Sequence, residues 1–126
     1  MTEIRDDLLY TENDEWVMKK DGVVRIGITD YAQEHLTDVV YVELPGVGER
    51  FEQGQEVAVV ESVKSVSEIY APVGGEVTVV NSDLESAPEL VNESPYDEGW
   101  LLEMEIDDTG ELDTLLSPAA YEAQLD

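Results

Sequence analysis

Around the pair Lys64-Ser65 the chain reads as a mirror: Val63 with Val66, Ser62 with Ser67, Glu61 with Glu68, Val60 with Ile69. Apolar residues alternating with polar ones on both sides of a short polar break fit two strands folded back on each other. A two-residue hairpin would set each mirror pair face to face and leave Lys64 at the tip. An isolated hairpin is not stable in water, so this one needs further strands and a core to lie on. Lys64 is also isolated by composition. None of the residues 65–126 is Lys or Arg, and the only other lysines are Lys19 and Lys20. On these residues alone, Lys64 reads equally as a mount for covalent modification or as a solubilising tip residue.

The rest of the chain supplies the expected partners. Glu15–Lys19 and Val23–Ile28 read as strands joined at Asp21-Gly22, a pair that favours the left-handed backbone of a tight hairpin turn. Thr29 followed by Asp30 predicts a capped helix over Asp30–Leu36. Asp38–Leu44 reads as a strand ended by Pro45-Gly46-Val47-Gly48, and Gln53-Gly54 as a turn. The hairpin around Lys64 is predicted as Val57–Val63 and Val66–Ala71. Gly74 and Gly75 read as turn formers, followed by strands over Glu76–Val80 and Trp100–Ile106. Ser86–Asn92 predicts one helical turn, and Leu112–Leu116 is ambiguous. Ser117-Pro118 predicts a closing helix from Pro118 to about Gln124. Residues 1–7 read as a loose start and 1–126 as a single domain. Trp16, Tyr96 and Trp100 read as packing residues.

Charge sets the environment. The chain carries 31 Asp and Glu against six Lys and Arg, a net charge of −25. Such self-repulsion needs screening, so a salt-rich cytoplasm is expected. The acids run through the whole length, as in a solvated coat rather than a binding tail. Nucleic acid and anionic membrane surfaces are disfavoured as partners. There is no cysteine and one histidine, His35. That excludes a disulfide frame, a thiol nucleophile and a His-rich metal site, so no metal is expected. No apolar run reaches membrane-spanning length, and the start lacks the marks of a secretion signal.

Glu61-Ser62-Val63-Lys64-Ser65, followed by Ala71-Pro72-Val73-Gly74-Gly75-Glu76-Val77, resembles the lipoyl-lysine segment of glycine cleavage H-proteins. Other landmarks of that family stand in order: Glu15-Trp16; Gly27-Ile28-Thr29-Asp30-Tyr31-Ala32-Gln33; Val40-Tyr41-Val42-Glu43-Leu44-Pro45; Pro88-Glu89-Leu90-Val91-Asn92; Ser94-Pro95-Tyr96; Gly99-Trp100. The resemblance spans about residues 8–125. It implies a mostly β fold, the barrel-sandwich hybrid of lipoyl and biotinyl carriers, with short helices including a C-terminal one. It implies a monomeric, cytoplasmic, non-catalytic carrier with lipoate in amide linkage to Lys64, flanked by Glu61, Ser62, Val63, Ser65 and Val66. The implied partners are a pyridoxal-phosphate glycine decarboxylase, an aminomethyltransferase, dihydrolipoamide dehydrogenase and a lipoate-attaching enzyme. In the family the arm, loaded with an aminomethyl group, folds back against the protein. By motif position the groove contacts fall at Asn13, Glu15, His35 and Glu68, where the family more often has Ser for Asn13 and Asp for Glu68.

Two other carriers share the fold type. A biotinyl lysine is usually flanked by methionines, and Val63 and Ser65 stand there instead. A lipoyl relay handing lipoate or sulfur to other proteins would look similar at Lys64, and landmarks at both ends of the chain favour the glycine cleavage carrier. No nucleophile–base pair or phosphate loop points to catalysis. The charge makes its own prediction: the chain loses structure in dilute buffer. Circular dichroism in molar salt and in dilute buffer checks it, and an unchanged spectrum contradicts the salt-rich setting.

Overall fold

The computed structural model describes residues 2–125. Nine strands occur among them: β1 (Leu9–Tyr10), β2 (Glu15–Lys20), β3 (Val23–Ile28), β4 (Val39–Glu43), β5 (Arg50–Phe51), β6 (Glu56–Ser62), β7 (Val66–Tyr70), β8 (Gly75–Val80) and β9 (Leu102–Ile106). The helices are α1 (Asp30–Leu36), α2 (Asp83–Ser86), α3 (Leu90–Glu93) and α4 (Pro118–Gln124), with a 3-10 helix over Thr109–Thr114. The strands make two sheets, one ordered β1-β2-β3-β9-β8-β5 and one ordered β4-β6-β7. Every pairing is antiparallel. The fold class is the expected one, a two-sheet β structure with short helices and a C-terminal helix.

Local chemistry explains the elements that match expectation. The β2–β3 turn puts Asp21 at φ 40° and Gly22 at φ 82°, the left-handed pair of a tight hairpin. Thr29 caps α1, its hydroxyl oxygen accepting the Ala32 N–H at 3.2 Å. Ser117 caps α4 through the Ala120 N–H, with Pro118 as the first helical residue. The main core lies between the sheets, where Val17, Ile26, Val77 and Met104 meet Val42, Val60 and Ile69.

A second, aromatic cluster lies outside the first sheet. It holds Leu8, Tyr10, Trp16, Tyr96 and Tyr121. Trp16 Nε1 donates to the Pro95 carbonyl at 2.9 Å. The indole ring fills the space that a side chain at Gly27 would need, since a Cβ there would stand 2.6 Å from it. Trp16 and Tyr96 are thus buried as expected. Trp100 is half-buried, with the Arg25 guanidinium 4.4 Å over its ring.

Three expectations change, and one strand is added. Residues 2–7 form no regular element, yet they are tied down. The Glu3 N–H donates to Asp30 at 2.8 Å, and Arg5 makes two hydrogen bonds to Asp97 at 3.0 and 2.8 Å. Ser86–Asn92 is two separate turns, α2 and α3, because Ala87-Pro88 interrupts the helix. The two-residue strand β5 is too short to leave a periodic signal. Gly75 is no turn former: it opens β8, paired with Phe51 and Ile106, and a Cβ there would stand 2.0 Å from the Glu105 carbonyl oxygen. Glycine is required there by a close backbone approach, not by a turn. Gly75→Ala is therefore expected to destabilise the fold by about 2–4 kcal/mol, read as a lowered denaturant midpoint with unchanged slope.

Candidate functional site

Lys64 sits at the exposed tip of the β6–β7 hairpin. The turn differs from the expected two-residue one. The register pairs Glu61 with Val66, Val60 with Ser67, Val59 with Glu68 and Ala58 with Ile69. The loop therefore has four residues, Ser62–Ser65, and β6 is displaced by two positions against the mirror. The cause is backbone conformation. A tight primed turn needs positive φ, and none of Ser62, Val63, Lys64 or Ser65 adopts it. A slip of two keeps every side chain on its expected face. It also separates Glu61 from Glu68, which do not oppose each other.

Ser62 organises this loop. Its hydroxyl oxygen accepts the Lys64 N–H at 3.3 Å and the Ser65 N–H at 3.1 Å, while its own N–H donates to the Ser65 carbonyl at 2.8 Å. Next to it, the Val63 N–H donates to the Asp38 carbonyl at 3.0 Å, which moors the tip to the chain entering β4. Among the described residues no carboxylate stands within ion-pair distance of the Lys64 amine, whereas Arg5, Arg25 and Arg50 are all paired. The hairpin and the adjoining β4 carry exposed apolar side chains: Val63 is 67% exposed, Val66 57%, Val40 53% and Tyr41 51%. The tip thus presents one unpaired amine on a hydrogen-bonded loop, with exposed apolar side chains on the same hairpin and on β4.

From the tip, Val66, Glu68 and Tyr70 alternate onto the outer face of β7, while Ile69 faces the core. Tyr70 lies four residues beyond Val66, roughly 13 Å at the rise of a strand. It borders a groove of about 300 Å³ lined also by Thr11, Asn13, Glu15, Gln53 and the Thr114–Leu116 segment. Asn13 and Glu15 therefore line one groove. Glu68 stands outside it, exposed between tip and groove. His35 does not line it either. It closes α1, with Nδ1 2.9 Å from the Tyr31 carbonyl and its ring 4.2 Å from that of Tyr31. Thr11, Gln53 and the Thr114–Leu116 segment are additions that the sequence reading misses. The one available signal is the place of Thr11 at the head of a polar turn, where a hydroxyl often bonds the following backbone.

Glu15 is the buried charge of the groove, 1% exposed. One carboxylate oxygen accepts from the Thr11 hydroxyl at 2.8 Å and the other from the Tyr70 N–H at 2.8 Å. Burial pushes its pKa up to about 7, and the two hydrogen bonds hold it from rising further. The folded chain thus holds this proton more tightly than the unfolded chain does. Its stabilising contribution is full below the ordinary carboxylate pKa and is lost as pH rises through about 7. The loss amounts to roughly 3 kcal/mol at about 1.4 kcal/mol per pKa unit. Glu15→Gln keeps the acceptor for Tyr70 and has no proton to lose. Its stability relative to the parent should rise from about pH 5 and level off above about pH 7 in denaturant titrations, and a constant difference would contradict the shift.

The whole chain can be set beside known proteins on this geometry. The family model described as glycine cleavage H-protein matches residues 8–126. The chain is 55% identical over 119 residues to a probable glycine cleavage system H protein of Natronomonas pharaonis, covering 94% of each. It is 52% identical over 124 residues to the glycine cleavage system H protein of Thermus thermophilus, covering 98% of this chain and 97% of that one. In three dimensions it is similar to the crystal structure of a glycine cleavage system H protein from Mycobacterium marinum, with a TM-score of 0.89 and 38% identity over 96% of this chain and 98% of that one. An exposed hairpin lysine, a two-sheet fold and full-length similarity agree: the chain belongs to the glycine cleavage H-protein family.

Proposed function

We propose that this chain is the lipoyl carrier of a glycine cleavage system, with the lipoyl group in amide linkage to Lys64 and residues 1–126 acting as one carrier domain. The observation that carries the reading is the hairpin tip: an unpaired, exposed amine on a loop fixed by Ser62 and moored by Val63. Those residues fit the group. An acyl chain on Lys64 needs no buried pocket at the attachment point, displaces no ion pair, and leaves the tip onto apolar surface. Bound there, the lipoyl group supplies a disulfide that takes up and returns electrons and a carbon group, so a chain without cysteine can serve a redox cycle.

What the chain's own residues do is position. Ser62, Ser65 and Val63 hold the loop still, so a long arm swings from a defined point. The outer face of β7 leads from Lys64 past Glu68 to Asn13 and Glu15. At neutral pH Glu15 is poised between its two charge states, and its carboxylate can accept hydrogen bonds from an amine brought into the groove. Asn13 can do so through its amide oxygen. His35 lies at the end of α1, away from the groove lining, and on this reading tunes docking rather than touching the arm.

The partners on this reading are glycine decarboxylase, aminomethyltransferase, dihydrolipoamide dehydrogenase and a lipoate-attaching enzyme. Each must reach the same tip, where the exposed Val40, Tyr41, Val63 and Val66 would be covered on docking. The chain itself serves as a non-catalytic subunit. Among the described residues no helix is long and apolar enough to cross a membrane. We read the acidic coat as suited to a salt-rich cytoplasm. Lys64→Arg is expected to abolish glycine cleavage in a reconstituted system while its circular dichroism and thermal midpoint stay those of the parent. Glycine cleavage sustained by Lys64→Arg would end the reading.

A further inference from the structure

None of the residues of α4 lines the groove, yet α4 is joined to it directly, by Gln124 Nε2 donating to the Glu12 carbonyl at 3.3 Å, and by two further connections. The segment just before the helix, Thr114–Leu116, forms part of the lining and is tied to β1 by two backbone bonds between Tyr10 and Leu116, at 2.9 and 2.7 Å. The second connection runs through Tyr121. Its ring is fully buried and stacked on Tyr10, with centroids 4.6 Å apart and planes 6° from parallel. Its hydroxyl donates to Asp14 Oδ1 at 2.9 Å and lies 2.7 Å from Thr29 Oγ1. Since Tyr121 spends its proton on Asp14, Thr29 donates to Tyr121, and the same Thr29 oxygen accepts the Ala32 N–H at the start of α1. The hydroxyls therefore form one directed chain from the α1 cap through Tyr121 to Asp14.

Asp14 is the residue this chain needs to hold. It adopts φ 68°, in the left-handed region that an aspartate enters at some cost, and it stands between the two groove residues Asn13 and Glu15. Its backbone is fixed at both ends, with its N–H to the Thr11 carbonyl at 3.2 Å and its carbonyl accepting from the Thr29 N–H at 3.0 Å. Thr11 holds the inner side of this turn through the Asn13 and Glu15 N–H groups, and on the α4 side the Asp14 side chain is held by Tyr121.

We infer that Tyr121 is a positioning residue: its hydroxyl, acting through Asp14, holds the Asn13–Glu15 wall of the groove in the shape that receives the carried group. This rests on the reading of the groove as the resting place of the lipoyl arm. It gives the closing helix a part in the carrier's work, from a residue that no arm atom would touch.

The test compares Tyr121→Phe with Tyr10→Phe. Both keep the ring stack and both lose two hydrogen bonds, but those of Tyr10 go to the Arg5 backbone at 2.8 Å and not to the groove turn. On the unmodified chain, amide hydrogen exchange is followed at Glu15 and Tyr70. Tyr121→Phe is expected to speed exchange at these amides roughly five- to tenfold over the sheet interior, and Tyr10→Phe to leave them unchanged. On the lipoylated, loaded carrier, loss of the carried group to water should be several-fold faster for Tyr121→Phe and unchanged for Tyr10→Phe. If Tyr121→Phe and Tyr10→Phe behave alike in both measurements while Glu15→Gln speeds the loss, the positioning role is overturned and the groove reading stands. If Glu15→Gln also leaves the loss unchanged, the groove reading falls and takes this inference with it.

Discussion

One buried carboxylate joins the two sheets at the edge of the core. Glu15 opens β2 in the larger sheet, and its side chain accepts the N–H of Tyr70 at the far end of β7 in the smaller one. β7 is an edge strand, so that N–H has no partner within its own sheet, and leaving it unpaired against the core would cost about 1–3 kcal/mol. Glu15 satisfies it and in doing so fixes where the hairpin carrying Lys64 stands relative to the groove. The cost is a desolvated carboxylate, whose pKa burial raises to about 7. A hydrophobic residue at this position would spare that cost and would lose both the strap and the polar floor of the groove.

The remaining geometry is arranged about the same strap. Thr11 holds the other oxygen of Glu15, and its hydroxyl oxygen also accepts the N–H groups of Asn13 and Glu15, at 3.2 Å each. Tyr121 holds Asp14 from the opposite side of that turn. A short polar loop is thus held by side-chain hydrogen bonds from both sides, which suits the proposed role of receiving a tethered arm. The tip at the other end of β7 is equally fixed by Ser62. Between two hydrogen-bonded ends stands the exposed side chain of Lys64, which makes no ion pair among the described residues. Tethering of this kind replaces diffusion with a high local concentration.

Much of this is legible in the chain, and what is not has local reasons. Thr29, Asp21-Gly22 and Ser117-Pro118 act through their own backbone neighbours, so the turn and the two helices fall where the residues predict. The mirror around Lys64 finds the hairpin and the correct faces but not the register, because loop length depends on φ angles that Lys and Ser do not take up. Gly75 is misleading because its requirement comes from Glu105, distant in sequence. Glu15 and Asn13 come from a family resemblance and converge on one groove. Thr11, Gln53, Tyr121 and the Thr114–Leu116 segment are hidden because their roles arise only when β1, the groove turn and the closing helix meet. His35 and Glu68, expected with Asn13 and Glu15, lie outside that groove, on an exposed helix end and an exposed strand face.

Everything described for the groove and the tip serves a carrier only if the hairpin lysine bears the arm. Intact mass followed by peptide mapping around Lys64, on chain purified from its own host, decides that. A lipoyl increment confined to the peptide containing Lys64 is the expected result. An unmodified Lys64 in that material, or a biotinyl increment in place of the lipoyl one, would contradict it.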